Sequence, residues 1–197
     1  MDLMPPTGWT PAGLEAAKQG GLTEAEVHRV LDDLKQFRVL NAVDPSAFIH
    51  PTARVWHYAV VLAGVFVDAN CSIGSHCEIG RGSVIGTGTR IGSMSFLPPN
   101  TIVGSNVFIG PSVTLCDDKH PFVHRATDAP YTPEPPVIED GAVIGAGSVL
   151  LPAVHIGKGA RIGAGSIVTR NVPAGTHWRG EPARIKTLST ASAEAWV

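Results

Sequence analysis

A six-residue spacing of aliphatic residues constrains this chain more than any other feature of its sequence. From Val43 to Leu115, an aliphatic residue occupies every sixth position without a slip. The series is Val43, Ile49, Val55, Val61, Val67, Ile73, Ile79, Ile85, Ile91, Leu97, Val103, Ile109 and Leu115. This period fits neither the alternation of an ordinary strand nor the 3.6-residue turn of a helix. It is typical of a solenoid in which each repeat is a short strand and a tight corner.

From the second repeat onward, a small or compact residue stands two positions before the aliphatic one. These residues are Ala47, Ala53, Ala59, Val65, Cys71, Cys77, Ser83, Thr89, Ser95, Thr101, Val107 and Val113. Three repeats make one triangular turn that encloses the aliphatic side chains. A glycine often follows the aliphatic residue directly and allows the chain to turn the corner. Thirteen repeats precede a break and six follow it. We therefore predict an all-β solenoid, a parallel β-helix of about six turns.

The break in the repeat locates a candidate functional loop. The spacing stops after Leu115 and resumes in a new phase at Ile138, from where it continues to Val168. The intervening residues 116–137 begin with Cys116-Asp117-Asp118-Lys119-His120-Pro121 and continue as a polar, proline-rich stretch. A loop of this length inside a compact domain is usually functional or disordered, and loops on rigid scaffolds often carry chemistry. We expect this loop to be extruded from the coil and to belong to the active site.

Residues 1–41 differ from the repeats and are predicted to be a small helical N-terminal extension. Thr23 and Glu26 form a capping-box pair at the start of a helix. The apolar residues that share one face of this helix are Val27, Val30, Leu31, Leu34 and Phe37. Because terminal repeats need a cap, we expect this face to cover the open end of the solenoid. The predicted β-helix then runs over residues 42–184, and a C-terminal tail over residues 185–197.

Charge and composition exclude several classes of protein. The chain has 15 basic and 17 acidic residues without a basic stripe, so we expect no binding to nucleic acid. Its longest apolar stretch, residues 59–67, is too short to span a bilayer, and no secretory leader is evident. Cys71 and Cys77 are interpreted as buried structural thiols, since no disulfide or zinc spacing is present. These features predict a cytoplasmic protein.

The motifs resemble those of the hexapeptide-repeat acyltransferases, whose β-helix is left-handed. Residues 107–115, followed by His120-Pro121, look like the segment that carries the catalytic histidine in maltose and galactoside acetyltransferases. Residues 162–173, followed by Gly180-Glu181-Pro182-Ala183-Arg184, are similar to the coenzyme A-binding end of the same enzymes. The resemblance implies a left-handed coil and a homotrimer with active sites between its subunits.

A second branch, the N-acetyltransferases of nucleotide-linked 3-amino sugars, resembles the early coils more closely. The similar segments are Trp56-His57-Tyr58 and residues 107–113, 117–121 and 140–146. This branch commonly has asparagines just after the position of Ile91, where this chain reads Gly92-Ser93-Met94-Ser95. The resemblance implies acetyl transfer from acetyl-CoA to an amino group of a sugar, with a nucleotide-linked sugar as the small-molecule acceptor and no metal.

Individual residues acquire candidate roles from this resemblance. His120 is the candidate general base, because a neutral imidazole accepts a proton near neutral pH. The candidate contacts to the acceptor are Asp117, Asp118, Trp56 and His57. The candidate contacts to coenzyme A are Ala146, Ala164, Thr169, Arg170 and Arg184. Among the last group, the arginines suit the phosphates of the cofactor through charge-assisted hydrogen bonds.

Three other functions remain open at this point. A sugar O-acetyltransferase of the maltose or galactoside type shares most of the motifs. A zinc enzyme related to the γ-class carbonic anhydrases would need three convergent histidines, for which His76, His120 and His124 are the candidates. A β-helix that acts only as a scaffold would lack a coenzyme-binding end. The sequence identifies neither the acceptor nor whether an amine or a hydroxyl receives the acyl group.

Overall fold

A computed structural model describes Thr23 and residues 41–121 and 132–185. The predicted N-terminal helices, part of the extruded loop and the tail from residue 186 onward lie outside the described residues. The chain divides into two units, Met1–Leu40 and Asn41–Val197, and the β-helix lies in the second. No helix in the described part of the chain is long and apolar enough to cross a membrane.

In the described ranges, nineteen two-residue strands form three parallel sheets, one on each face of a triangular coil. Sheet A contains β1 (Ala42–Val43), β4 (Val60–Val61), β7 (Glu78–Ile79), β10 (Phe96–Leu97), β13 (Thr114–Leu115), β16 (Val149–Leu150) and β19 (Ile167–Val168). Sheet B contains β2 (Phe48–Ile49), β5 (Phe66–Val67), β8 (Val84–Ile85), β11 (Ile102–Val103), β14 (Val137–Ile138) and β17 (His155–Ile156). Sheet C contains β3 (Arg54–Val55), β6 (Ser72–Ile73), β9 (Arg90–Ile91), β12 (Phe108–Ile109), β15 (Val143–Ile144) and β18 (Arg161–Ile162), followed by β20 (His177–Gly180) and β21 (Ala183–Ile185).

The register stacks equivalent residues of successive turns directly on each other. Val61 of β4 pairs with Ile79 of β7, and Ile79 pairs with Leu97 of β10. Each strand therefore pairs in parallel with the third strand after it along the chain. The aliphatic series therefore points inward in every turn, while the preceding residue of each strand points outward. The predicted parallel β-helix is confirmed, and its six-residue sides agree with the left-handed coil that the resemblance implies.

The interior is closed by aliphatic side chains and by hydrogen-bonded small residues. Ile73, Ile109 and Ile144 are fully buried, like most of the series. Thr89 Oγ1 donates to the carbonyl of Gly104 at 2.8 Å, so the buried hydroxyl has a partner. Cys71 and Cys77 are buried free thiols, as predicted, and burial raises the pKa of both.

A seventh turn closes the C-terminal end, beyond the six that the repeats predict. After β19, Val172 forms a parallel bridge with Ile156 on sheet B, and β20 then pairs with β18 on sheet C. Trp178 takes the inward position next to Ile162 and is only 9% exposed. The side between Val168 and Val172 is two residues shorter than the others, which hides this turn from the six-residue pattern.

Candidate active site

The corners between sheets stack into three edges, which we name by the sheets they join. The A–B edge carries the extruded loop between β13 and β14, and two turns later Thr169 and Arg170. The C–A edge carries Trp56 and His57 after β3, and also the predicted coenzyme contacts Ala146 and Ala164. The candidate residues therefore occupy two different edges of the prism.

The C-terminal half of the C–A edge has an open backbone. Ala146 and Ala164 are exposed in consecutive turns, and Gly165 N donates to the carbonyl of Ala146 at 2.8 Å. The next residues, Gly147 and Gly165, have φ values of 66° and 65°. No atom lies within 4 Å of the place where a side chain would begin at either glycine. A thin, extended ligand can therefore lie directly against this edge.

The N-terminal half of the same edge is bulky. The positions equivalent to Gly147 are held in earlier turns by Tyr58, His76 and Met94, with φ values of 62°, 58° and 62°. Tyr58 and His76 stack with ring centroids 4.9 Å apart, and Met94 is 62% exposed. Large side chains rarely adopt this left-handed conformation, although histidine does so more readily than tyrosine or methionine.

At the other left-handed corners in the described ranges the residues are glycine, asparagine or small. Apart from glycine, these residues are Asn70, Asn100, Asn106, Ser112 and Ala153. The accumulation of large side chains in three consecutive turns is thus confined to the C–A edge. The sequence singled out Tyr58 only as part of a motif, His76 only as a candidate zinc ligand, and Met94 only as part of a departure from the amino-sugar branch. The signal was available as bulky residues at a corner position that otherwise holds glycine, asparagine or a small residue.

A depression of about 350 Å³ lies beside this bulky segment, on the outer face of sheet C. Trp56, Arg90 and Phe108 line it, and the small residues Ser72 and Ser93 leave its floor low. Trp56 Nε1 donates to Ser72 Oγ at 3.1 Å, which holds the indole against the face. The depression therefore combines two exposed rings with a guanidinium group. Sequence reasoning identified Trp56 but missed Arg90 and Phe108.

The root of the extruded loop is held by hydrogen bonds. Asp118 Oδ1 accepts from the backbone N–H of His120 at 2.9 Å, and His120 is exposed. Lys119 Nζ lies 2.6 Å from Glu134 Oε2, and Glu134 N donates to the carbonyl of Asp117 at 2.8 Å. The Asp118 contact fixes the backbone at His120, and the Glu134 contacts join the two ends of the loop.

The arginine predicted for the cofactor lies beyond the last turn. Arg184 is exposed in β21, which runs antiparallel to β20 and places Arg184 opposite Arg179. Arg184 Nη1 donates to the carbonyl of Ala183 at 3.0 Å. This position is on sheet C, at the same end of the coil as Ala164.

A single chain does not bring the predicted residues into one pocket. Trp56 and Ala146 share an edge but are four turns apart, roughly 19 Å at the usual strand spacing. His120 lies on another edge. Among the residues that the structure describes, no group of three histidine, cysteine or acidic side chains is placed to hold a metal ion.

Residues 58–93 and 135–170 match the family Bacterial transferase hexapeptide (six repeats). A curated 2,3,4,5-tetrahydropyridine-2,6-dicarboxylate N-acetyltransferase from Staphylococcus aureus (strain bovine RF122 / ET3-1) is 45% identical over 56 residues, which are 28% of this chain and 23% of that enzyme. The match thus spans less than a quarter of the length of the curated relative.

Two solved acetyltransferase structures are similar to this chain over most of its length. The polySia specific acetyltransferase NeuO is similar over 78% of this chain and 81% of its own, with a TM-score of 0.52 and 24% identity. The acetyltransferase domain of PglB from Neisseria gonorrhoeae FA1090 is similar over 81% of this chain and 65% of its own, with a TM-score of 0.47 and 18% identity. The likeness to NeuO is one of fold. Within the β-helix, residues 58–93 and 135–170 are thus similar to the hexapeptide repeats of bacterial transferases.

Proposed function

We propose that this protein is a coenzyme A-dependent N-acetyltransferase that acetylates an amino group of a nucleotide-linked sugar. The open C–A edge beside Ala146 and Ala164 is the observation that carries the proposal. It lies in a coil of transferase repeats, and the curated relative is an N-acetyltransferase. The pantetheine arm of acetyl-CoA is long and thin, and its amides need backbone partners.

The edge suits such an arm in both shape and hydrogen bonding. The amide groups of Ala146 and Ala164 donate to no other group within residues 41–121 and 132–185. Backbone donors of this kind can bind the amide carbonyls of the arm. Arg184, at the same end of the coil, would bind phosphate oxygens, as would Arg170 and the hydroxyl of Thr169 on the A–B edge.

The chemistry needs one proton acceptor. The neutral amine attacks the thioester carbonyl carbon, the C–S bond breaks, and coenzyme A leaves as its thiolate. In this proposal the proton released by the amine passes to the imidazole of His120. Such general base catalysis contributes roughly 10²–10⁴-fold to the rate. Asp118 positions the His120 backbone, and in this proposal Asp117 and His57 contact hydroxyl groups of the acceptor.

A homotrimer would bring the two edges together. His120 on the A–B edge of one copy would face the C–A edge of the next, so that each site is shared. Sheet B supports such packing because its outer face is apolar in successive turns. Phe48 is 49% exposed and Ile102 is 51% exposed, with Phe66 and Val84 between them. Exposed apolar patches of this kind mark interaction surfaces, and a closed ring of copies would cover them.

A cytoplasmic location is part of the same proposal. Cys71, Cys77 and Cys116 are all free thiols, which suits a reducing compartment. Acetyl-CoA is the expected acyl donor in that compartment.

Release of free thiol from acetyl-CoA tests the function. The panel should contain nucleotide-linked amino sugars, free amino sugars, maltose, galactosides and 2,3,4,5-tetrahydropyridine-2,6-dicarboxylate. We expect release with a nucleotide-linked amino sugar and with no plain sugar. A calorimetric titration that shows no binding of coenzyme A would contradict the proposal and favour a non-catalytic scaffold.

A further inference from the structure

Three large side chains on the C–A edge adopt a backbone conformation that is unfavourable for them. Tyr58 is 50% exposed and Met94 is 62% exposed, so burial in the core does not explain their size. A left-handed conformation costs a non-glycine residue about 1 kcal/mol or more. Glycine fills the equivalent corners two and three turns further on. Strain without compensating burial is characteristic of residues that contact a ligand.

The depression on sheet C, beside this edge, contains aromatic rings and a guanidinium group. Trp56 and Phe108 provide exposed ring faces on which a flat heterocycle can stack. Arg90 is exposed, and its guanidinium group has no hydrogen-bond or ion-pair partner among the residues that the structure describes. A planar guanidinium group binds phosphate oxygens in a bidentate manner. Flat rings and an unpaired cation in one depression fit a heterocycle that carries phosphates.

The order of features along the C–A edge predicts how a ligand bound in the depression is oriented. Met94 lies two turns from Gly147, roughly 10 Å at the usual strand spacing. The depression beside Met94 is therefore offset along the coil from the open segment proposed for the pantetheine arm. A ligand anchored in the depression can extend along the edge toward the thioester. In the one turn between Met94 and Gly147, the exposed residues on the edge are Pro111 and Ser112, and neither has a long side chain.

We infer that Trp56, Arg90 and Phe108, flanked by Tyr58 and Met94, bind the nucleoside diphosphate part of the acceptor. The base stacks on the rings and the diphosphate pairs with Arg90. This inference rests on the proposed function, which it extends by placing the nucleotide on sheet C. It also explains why the bulky and the open corners follow each other on one edge.

Titration calorimetry on the full chain tests the inference with uridine, thymidine and guanosine diphosphates and with inorganic pyrophosphate. We expect wild-type protein to bind at least one of the nucleotides. Arg90→Gln should weaken that binding about 10- to 100-fold, the usual effect of losing charged hydrogen bonds. Trp56→Leu should weaken nucleotide binding about 10-fold and leave pyrophosphate binding unchanged. The matched control is Arg161→Gln, an exposed arginine in the same outward column of sheet C, which should have no effect.

Several results would overturn the inference. Equal nucleotide affinities for Arg90→Gln and Arg161→Gln would remove Arg90 from the site. Dissociation of the oligomer by Trp56→Leu, measured by analytical ultracentrifugation with nucleotide affinity retained, would show that the indole serves an interface instead. Binding of coenzyme A without binding of any nucleotide would refute this inference alone. Absence of coenzyme A binding would refute the proposed function as well.

Discussion

The two halves of the C–A edge have the same left-handed backbone conformation at their corners but carry side chains of very different size there. In the early turns the left-handed corner holds Tyr58, His76 and Met94, and in the late turns it holds Gly147 and Gly165. The glycines accept this conformation without strain, while the large residues do not. The fold therefore tolerates either kind of residue, and the choice between them reflects what each half contacts. We interpret the bulky half as the acceptor side and the open half as the coenzyme side.

The largest effect on activity is expected in the extruded loop, which the proposed homotrimer brings to the C–A edge of the next copy. His120→Ala should lower turnover about 10²–10⁴-fold because the general base is lost. Binding of coenzyme A should stay unchanged, since His120 is not among the proposed contacts to coenzyme A. Turnover is measured by thiol release, binding by calorimetry, and the oligomer by ultracentrifugation. Wild-type turnover in the variant would exclude His120 from the mechanism.

The second largest effect is expected on coenzyme A binding, when a side chain is added to the open half of the C–A edge and not to a corner on another edge. Gly147→Met would place on this edge the side chain that Met94 already carries, and it should weaken coenzyme A binding about 10-fold or more by occupying the channel. Gly159→Met is the matched control, because Gly159 has a φ of 64° and equally open space but lies on the B–C edge. Both variants carry the same backbone strain. Equal coenzyme A affinities in the two would contradict the coenzyme side of the comparison.

Mixing two variants, assayed at an acetyl-CoA concentration too low for either to turn over appreciably, tests whether the site is shared between copies. His120→Ala protein retains an intact edge, and Gly147→Met protein retains an intact loop. Mixed trimers formed by refolding the two together should contain sites with both parts intact and recover a fraction of wild-type activity. If the mixture stays as inactive as its components, the loop and the edge do not come from different copies.

The oligomer itself should depend on sheet B. Ile102→Glu places a charge on the apolar outer face, and burying an unpaired carboxylate against a second copy costs several kcal/mol. We expect monomers at micromolar concentration in ultracentrifugation and loss of activity. Phe96→Glu, an exposed phenylalanine on sheet A, is the control and should leave the trimer intact. The reverse result would assign the interface to sheet A.

The smallest effect concerns the strain in the bulky half. Met94→Gly should raise the free energy of unfolding by about 0.5–1 kcal/mol, because the left-handed corner becomes unstrained and little packing is lost. Nucleotide binding should weaken at the same time. Thermal unfolding and calorimetry measure the two quantities. A variant that is less stable than wild type would show that the Met94 side chain supports the fold.

Sequence alone predicted the fold because the register of a solenoid repeats a single local rule. Every inward position, from Val61 to Val168, could be read from the six-residue spacing. The seventh turn was not predicted because the side leading to Val172 is shortened, and because tryptophan replaces an aliphatic residue at position 178. The N-terminal helices lie outside the described residues, so their capping role stays a prediction.

The candidate site was less accessible to sequence reasoning. Ala146 and Ala164 were identified through resemblance, and the structure places them on one exposed edge. Arg90 and Phe108 are eighteen residues apart, and only the stacking of turns makes them neighbours beside Trp56. The left-handed corner positions of His76 and Met94 become visible only through their φ values.

A paired titration of coenzyme A and a nucleoside diphosphate tests the division of the C–A edge most directly. Each ligand is titrated into wild-type, Gly147→Met and Arg90→Gln protein. We predict that Gly147→Met loses affinity for coenzyme A alone, and that Arg90→Gln loses affinity for the nucleotide alone. If both variants lose the same ligand, or neither loses any, the edge is not divided between cofactor and acceptor.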